Sequence, residues 1–424
     1  DGQLLGAKIA SDGQWRFPQN DTVPEKFKTC IIQFEDEYFQ KHPGFNPISI
    51  FKALRDNLSS RNVKRGGSTI TQQVIRLSRK NQKRTYFEKG IEIILATRLE
   101  FRASKRKILA YYSSNAPFGG NVVGLDAASW RYFNRNANEL SWAESALLAV
   151  LPNAPSLIYP GKNHDQLLKK RNLLLKKLFK NKVIDKLTYQ LSIAEYIPDK
   201  PYPLPQIAPH LLQKVSKKYN GKRIQTTIDV HLQERINSIV ESHYNQLSQN
   251  EIYNAAVLVL DVKTRRVLAY VGNTPTDKAH EKDVDVIDKP RSTGSILKPF
   301  LFTAMLDAGD ILPNTLVADV PTQFGSYNPE NYNKTYDGAV SASRALSRSL
   351  NVPAVRMLQE FGLDRFHHYL KALHLKDLKY NANHYGLSLI LGGAESNLWD
   401  LCKSYAALSS TLNHFSETSS EYFS

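Results

Sequence analysis

Residues 66–73 read Gly66-Gly67-Ser68-Thr69-Ile70-Thr71-Gln72-Gln73, and the helical run Val74-Ile75-Arg76-Leu77 follows directly. Two glycines allow close backbone approach, and Ser68 or Thr69 is placed to cap the helix that begins there. Free backbone N–H groups and a positive dipole then face whatever precedes the helix, a ready anion site. A capped helix alone says little. Eight consecutive residues of this type are a far more specific signal.

Acidic stretches lie on both sides. Residues 35–44 read Glu35-Asp36-Glu37-Tyr38-Phe39-Gln40-Lys41-His42-Pro43-Gly44. The spacing predicts a helix on which Glu35 and Phe39 share a face, stopped by Pro43 and Gly44. A carboxylate beside two others and flanked by Phe34, Tyr38 and Phe39 has its pKa raised by burial and like charge. That suits a general acid or base near neutral pH, whereas the plainer reading is an acidic helix end. Downstream, Glu88, Glu92, Ala96 and Glu100 recur every four residues on one helical stripe, with Lys89 adjoining it. Stacked carboxylates repel unless paired or solvated, so the stripe reads as a surface helix or as a cleft wall.

The chain has 424 residues, enough for two or three domains, and its 42% hydrophobic and 23% charged content excludes a largely disordered protein. Cys30 and Cys402 cannot make a disulfide framework, show no metal-ligand spacing and read as small hydrophobes. No stretch approaches the ~20 apolar residues of a membrane span, and no signal peptide opens the sequence. The chain starts at Asp1 without Met, so a membrane anchor is expected to lie outside it. Residues 1–200 carry 33 Lys+Arg against 18 Asp+Glu, and the remainder 23 against 22. Nearly all of the net +16 therefore sits in the first half and favours an anionic partner: nucleic acid, an acidic membrane surface or a phosphate-bearing substrate.

After a lead-in over 1–23, residues 24–197 have helical periodicity, notably over 84–112 and 139–151, where Ser141 and Glu144 predict a capping box. Pro198, Pro201, Pro203, Pro205 and Pro209 mark a Pro-rich linker over 198–224. Residues 225–424 differ in texture. Runs at 255–260 and 266–272 predict a β-hairpin turning at Asp261 and Thr264, and helical patterns follow at 295–308, 341–360 and 396–410. An all-α domain is thus expected before a mixed α/β (α+β) domain.

The second domain holds its own constellation. Ser295 and Lys298 are three residues apart, so a helix starting there projects both from one face, and a deprotonated lysine activates the hydroxyl as a nucleophile. Ser349-Leu350-Asn351 fits a Ser-x-Asn motif, though Ser60-Arg61-Asn62 and Ser248-Gln249-Asn250 do too, and order and context choose between them.

Together these stretches resemble class A penicillin-binding proteins, whose two domains are a glycosyltransferase family 51 domain and a penicillin-binding transpeptidase domain. The likeness continues through Lys107-Ile108-Leu109, Ala116-Pro117-Phe118-Gly119-Gly120 and Leu147 to Pro152, with Asp12-Gly13-Gln14-Trp15-Arg16 near the start. It implies a lysozyme-like α domain that polymerises lipid II onto a nascent glycan strand by inverting transfer, releasing polyprenyl diphosphate. Glu35 matches the family's catalytic base and Glu92 its second essential glutamate, at the diphosphate end, where a divalent cation (Mg or Mn) is the one cofactor implied. Gly66, Gly67, Ser68, Thr69, Gln72, Gln73, Arg76 and Lys89 match the substrate-binding stretches. Glu88 departs from pattern, standing where many relatives carry Arg.

In the second, β-lactamase-like domain the resemblance makes Ser295 the acyl-enzyme nucleophile, open to β-lactams, and Lys298 its base. Ser349 and Asn351 handle proton transfer and orientation. No Lys-Ser-Gly or Lys-Thr-Gly triplet occurs in the 424 residues, so a truncated domain with impaired acylation is expected. The implied location is the periplasmic, extracytoplasmic face of a bacterial cytoplasmic membrane. Two alternatives stay open: a lysozyme-like lytic glycosidase and a non-catalytic cell-wall scaffold. Nucleic acid is not an expected partner, since no known binding module appears.

Overall fold

The computed structural model describes residues 2–47, 67–79 and 85–418. The chain divides into two compact units, residues 1–206 with 212–225, and residues 207–211 with 226–424.

The first unit is helical. Phe27, Cys30 and Ile31 recur at three- and four-residue spacing on α1 (Glu25–Glu35) and bury that face. Three further helices, α2 (Ile70–Ser78), α3 (Tyr86–Arg102) and α4 (Lys105–Asn115), follow, then α5 (Leu125–Phe133). At the centre stands α6 (Trp142–Val150), buried from Ala143 through Val150 and packed against α1 and α7 (His164–Lys180). Its start is the capping box predicted from sequence: Ser141 Oγ accepts from Glu144 N–H while Ser141 N–H donates to the Glu144 carboxylate. α8 (Lys186–Ala194) closes the helical run. Parallel pairing of β1 (Trp15–Arg16) with β2 (Val122–Val123) ties the lead-in segment to the same unit.

The helix predicted across 35–44 ends instead at Glu35, so Glu35 and Phe39 share no helical face. Asp36 is drawn out of helical geometry (φ −158°, ψ 76°) because its carboxylate accepts from Ile70 N–H at 3.0 Å and lies 2.9 Å from His42 Nε2. Gly44 N–H donates to His42 Nδ1, which leaves Nε2 as the N–H that donates to Asp36. Gly44 itself has φ +100°, and a Cβ there would meet the Ala96 carbonyl carbon at 2.7 Å. Its own carbonyl accepts from Thr69 Oγ1 at 2.7 Å. One turn after α1 thereby registers α2 and α3 together.

The helix α9 (Pro209–Lys218), which Pro209 opens, is divided between the two units, and α10 (Val230–Leu247) follows in the second. The predicted hairpin is present as β3 (Val257–Leu260) antiparallel to β4 (Val267–Val271), with Thr264 N–H and Oγ1 both bonded to Asp261 Oδ1 in the turn. Short β5 (Arg291–Ser292) precedes α11 (Lys298–Asp307), whose buried Phe300, Leu301, Ala304 and Met305 enter the apolar core. A second antiparallel pair, β6 (Leu316–Asp319) with β7 (Gly338–Ser341), leads into α12 (Ala342–Ser347) and α13 (Asn351–Phe361). Two more helices, α14 (Leu363–Ala372) and α15 (Ala382–Tyr385), come before β8 (Glu395–Ser396), which pairs with β5, and α16 (Leu398–Thr418) ends the described chain. No helix among the described residues is long and apolar enough to cross a membrane. Cys30 is buried, Cys402 half-buried, and both are free thiols.

Gly44→Ala is expected to lower the thermal midpoint of the first unit, with a cost of about 1–3 kcal/mol from backbone strain plus the clash with Ala96. Differential scanning calorimetry checks it.

Candidate active sites

In the first unit, α2 carries the residues that join two carboxylates. Gln73 Nε2 donates to Glu35 Oε2 at 2.8 Å, leaving Glu35 Oε1 buried with no hydrogen bond among the described residues. Burial raises the Glu35 pKa, and Asp36 adds to the rise, against the opposing pull of Gln73, Lys170 and Arg76. One turn along, about 4.5 Å of rise, Arg76 spans the Glu92 carboxylate with Nε to Oε1 at 2.7 Å and Nη2 to Oε2 at 2.9 Å. Burial alone would raise the Glu92 pKa, but the Arg76 hydrogen bonds and charge, with Lys89, override it and hold Glu92 below the usual carboxylate range. Lys89 Nζ reaches Glu92 Oε2 at 3.3 Å, Ser68 Oγ at 2.8 Å and Gln72 Oε1 at 3.0 Å. Arg76 and Lys89 thus both stand on the one Glu92 carboxylate.

The acidic stripe of α3 is a packing face, since each carboxylate meets a cation. Glu88 accepts from Arg79, Glu92 from Arg76 and Lys89, and Glu100 from Lys105 and Thr71, while Ala96 is fully buried. The surface-helix reading of that stripe is therefore corrected. The start of α2 is also not an open anion site. Thr69 Oγ1 accepts from Gln72 N–H, Gln72 Oε1 accepts from Thr69 N–H, and Asp36 takes the Ile70 N–H. Thr69 and Gln72 are buried in that cap, whereas Ser68, Gln73, Arg76 and Lys89 are only half-buried. Gly67 precedes Ser68 half-buried; Gly66 lies outside the described residues. The residues present do not fit a divalent cation at Glu92. Both of its oxygens accept from Arg76, and no three His, Cys, Asp or Glu converge among the described residues.

In the second unit, the helix predicted to start at Ser295 starts at Lys298. Pro299 lacks the N–H that Ser295 O would accept in a regular helix, so Ser295 O takes Lys298 N–H in a tighter turn. Ser295 is exposed, and its hydroxyl makes no hydrogen bond among the described residues. Lys298 is 3% exposed, and its Nζ donates to Ser349 O at 2.8 Å, Ser349 Oγ at 3.2 Å and Asn351 Oδ1 at 2.8 Å. Burial lowers its pKa to about 8. The helix expected over 341–360 breaks at 348–350, where Ser349 takes φ +55°. The structure brings Lys298, Ser349 and Asn351 together, while Ser295 stands exposed on the turn before α11 with no hydrogen bond to Lys298 among the described residues. The sequence reading missed Asp36 and His42 as a latch, and Asn331 and Asp319, which are buried against α13.

Residues 1–179 match the transglycosylase family model, and residues 255–407 match the penicillin binding protein transpeptidase domain. Penicillin-binding protein 1C of Escherichia coli (strain K12) is 37% identical over 409 residues, covering 96% of this chain and 53% of that protein. Penicillin-binding protein 1F of Bacillus subtilis (strain 168) is 30% identical over 396 residues, covering 89% and 54% respectively. A crystal structure of penicillin-binding protein 1A from Haemophilus influenzae matches at TM-score 0.44 and 17% identity, covering 80% of this chain and 63% of that one. The chain spans about half the length of the curated relatives it matches. With a lysozyme-like helical transglycosylase domain followed by a transpeptidase domain, it belongs to the class A penicillin-binding proteins.

Arg76→Met is expected to destabilise the first unit by about 2 kcal/mol at pH 7, less than for a fully buried pair because Lys89 still faces Glu92. Because the folded pKa of Glu92 is depressed, the pair's contribution is present above the ordinary carboxylate pKa of ~4.3 and is lost as pH falls through the folded value. The gap in melting temperature between the two proteins should close in acid, as thermal scans across pH would show.

Proposed function

We propose that the first unit is a peptidoglycan glycosyltransferase that extends glycan strands from lipid II. The observation that supports it most is Glu35, a carboxyl with a raised pKa and a buried Oε1 that has no hydrogen bond among the described residues, joined through α2 to the cluster where Arg76 and Lys89 meet Glu92. In this reading Glu35 removes the proton from the acceptor sugar's 4-hydroxyl. That oxygen attacks the donor's anomeric carbon from the face opposite the leaving group, so the configuration inverts. The bond to the diphosphate breaks, and polyprenyl diphosphate departs with the electron pair. Arg76 and Lys89 steady its growing charge, and Glu92 holds both cations in place.

A lytic glycosidase also uses a buried carboxyl, but it has no leaving diphosphate and no need of this cationic cluster. The working place is the extracytoplasmic surface of a bacterial membrane, where a polyprenyl-linked substrate resides. The exposed Phe87, Ile94 and Phe101, spaced by seven along α3, support such a surface. In the second unit, Ser295 would be acylated by a peptide ending in D-Ala-D-Ala, expelling the terminal D-Ala, or by a β-lactam, opening its ring C–N bond, with Lys298 taking the hydroxyl proton and the absent Lys-Ser/Thr-Gly triplet slowing the step.

With labelled lipid II in detergent, the protein is expected to yield a polymer ladder, and Glu35→Gln is expected to reduce the rate by about 10²–10⁴-fold. Soluble muropeptides released from sacculi would move the assignment to a lytic enzyme. Full polymerisation by Glu35→Gln would remove Glu35 from the chemistry.

A further inference from the structure

In the second unit, the helix that carries Asn351 begins without a cap of its own. α13 has Leu350 at its N-cap position, and Leu350 offers no oxygen to the first-turn N–H groups. Asn331, from the loop between β6 and β7, supplies that oxygen across twenty residues of sequence. Its Oδ1 accepts from Asn351 N–H at 2.9 Å and from Val352 N–H at 3.2 Å. Its Nδ2 donates to Asp319 Oδ1 at 2.7 Å and to Thr335 O at 3.0 Å. All four hydrogen-bonding valences of this amide are used, at 2% exposure. The partners also fix its orientation, because a flipped amide would turn an N–H₂ toward two N–H donors and an oxygen toward a carboxylate. Asp319, 1% exposed, is held in turn by Asp337 N–H at 3.0 Å. The preceding residue completes the grip: Glu330 O accepts from Asn351 Nδ2 at 2.8 Å, so Asn351 Oδ1 faces Lys298 Nζ.

We infer that Asp319 and Asn331 are positioning residues for the transpeptidase-type site, setting Asn351 and the left-handed Ser349 against Lys298 from outside the two residues that contact its Nζ. The inference rests on the proposed role of Ser295, Lys298, Ser349 and Asn351, and goes beyond it by assigning a buried Asp–Asn pair to the upkeep of that geometry. Neither residue faces substrate. Asn331 acts through the N-terminus of α13, and Asp319 acts through the amide of Asn331.

The test uses the whole chain and two readouts: Ser295 labelling by a fluorescent penicillin, and titration of Lys298 followed by NMR of ¹³Cε-lysine, assigned with Lys298→Arg. Among the described residues, Lys298 Nζ has hydrogen-bonding contacts only with Ser349 and Asn351. Asn331→Ala frees Asn351, so the lysine ammonium loses an acceptor. The Lys298 midpoint is expected to fall below that of the wild type, and labelling to slow at least tenfold. Asn331→Asp sets a carboxylate against Asp319 and should slow labelling as much. Asp319→Asn combined with Asn331→Asp restores a donor between the two positions and should recover labelling to within about threefold of wild type, a rescue that simple loss of stability would not give. If wild-type protein takes no label but the Lys298 midpoint still moves in Asn331→Ala, the acylation reading fails and the positioning role stands. An unchanged midpoint and labelling rate in Asn331→Ala would overturn the inference. If that variant does not fold, wild-type behaviour of Asn331→Asp would do the same.

Discussion

The two hydrogen bonds from the Arg76 guanidinium to the Glu92 carboxylate decide how charge is distributed in the first unit. They keep one carboxylate ionised inside the protein, while a second, Glu35, has no direct cation partner among the described residues. Gln73, one turn earlier on the same helix, gives Glu35 a neutral donor. The two glutamates are thus driven in opposite directions: Glu35 upward by burial against the pull of Gln73 and Arg76, Glu92 downward because Arg76 and Lys89 outweigh its burial. A proton acceptor and a site for a departing anion need that contrast.

Both units fix their working helices from a distance. In the first, Asp36 takes the Ile70 N–H at the start of α2; in the second, Asn331 takes the Asn351 and Val352 N–H groups at the start of α13. Each device uses helix N–H groups that would otherwise face a ligand or solvent, and each spends the local anion-binding capacity on rigidity. In the proposed reading, positive charge for the departing diphosphate then comes from the side chains of Arg76 and Lys89.

Much of this was legible from sequence where the signal is local. The Ser141–Glu144 capping box and the hairpin turning on Asp261 and Thr264 follow from short patterns, whereas the grouping of Glu35, Gln73, Arg76 and Glu92 comes from the family resemblance. What escaped is long-range. The helix after Glu35 stops early because Asp36 bonds to residue 70, and helical spacing over 35–44 carries no trace of that partner. The acidic stripe on α3 read equally as a solvated face because its cations come from α2, α4 and the turn after α2. Asn331 sits in a polar loop whose composition gives no sign that its amide caps a helix twenty residues on. Pro299 was the one overlooked local cue, a missing N–H that moves the start of α11 past Ser295.

The central claim, that burial raises the carboxyl at position 35 and readies it to accept a proton, is open to direct titration. Protein labelled with ¹³Cδ-glutamate, with the Glu35 resonance assigned through Glu35→Gln, gives the carboxyl midpoint without substrate or turnover. The account predicts a midpoint clearly above the ordinary glutamate value of ~4.3, and a Glu92 midpoint below it in the same spectra. A Glu35 carboxyl titrating at or below the ordinary value would contradict it.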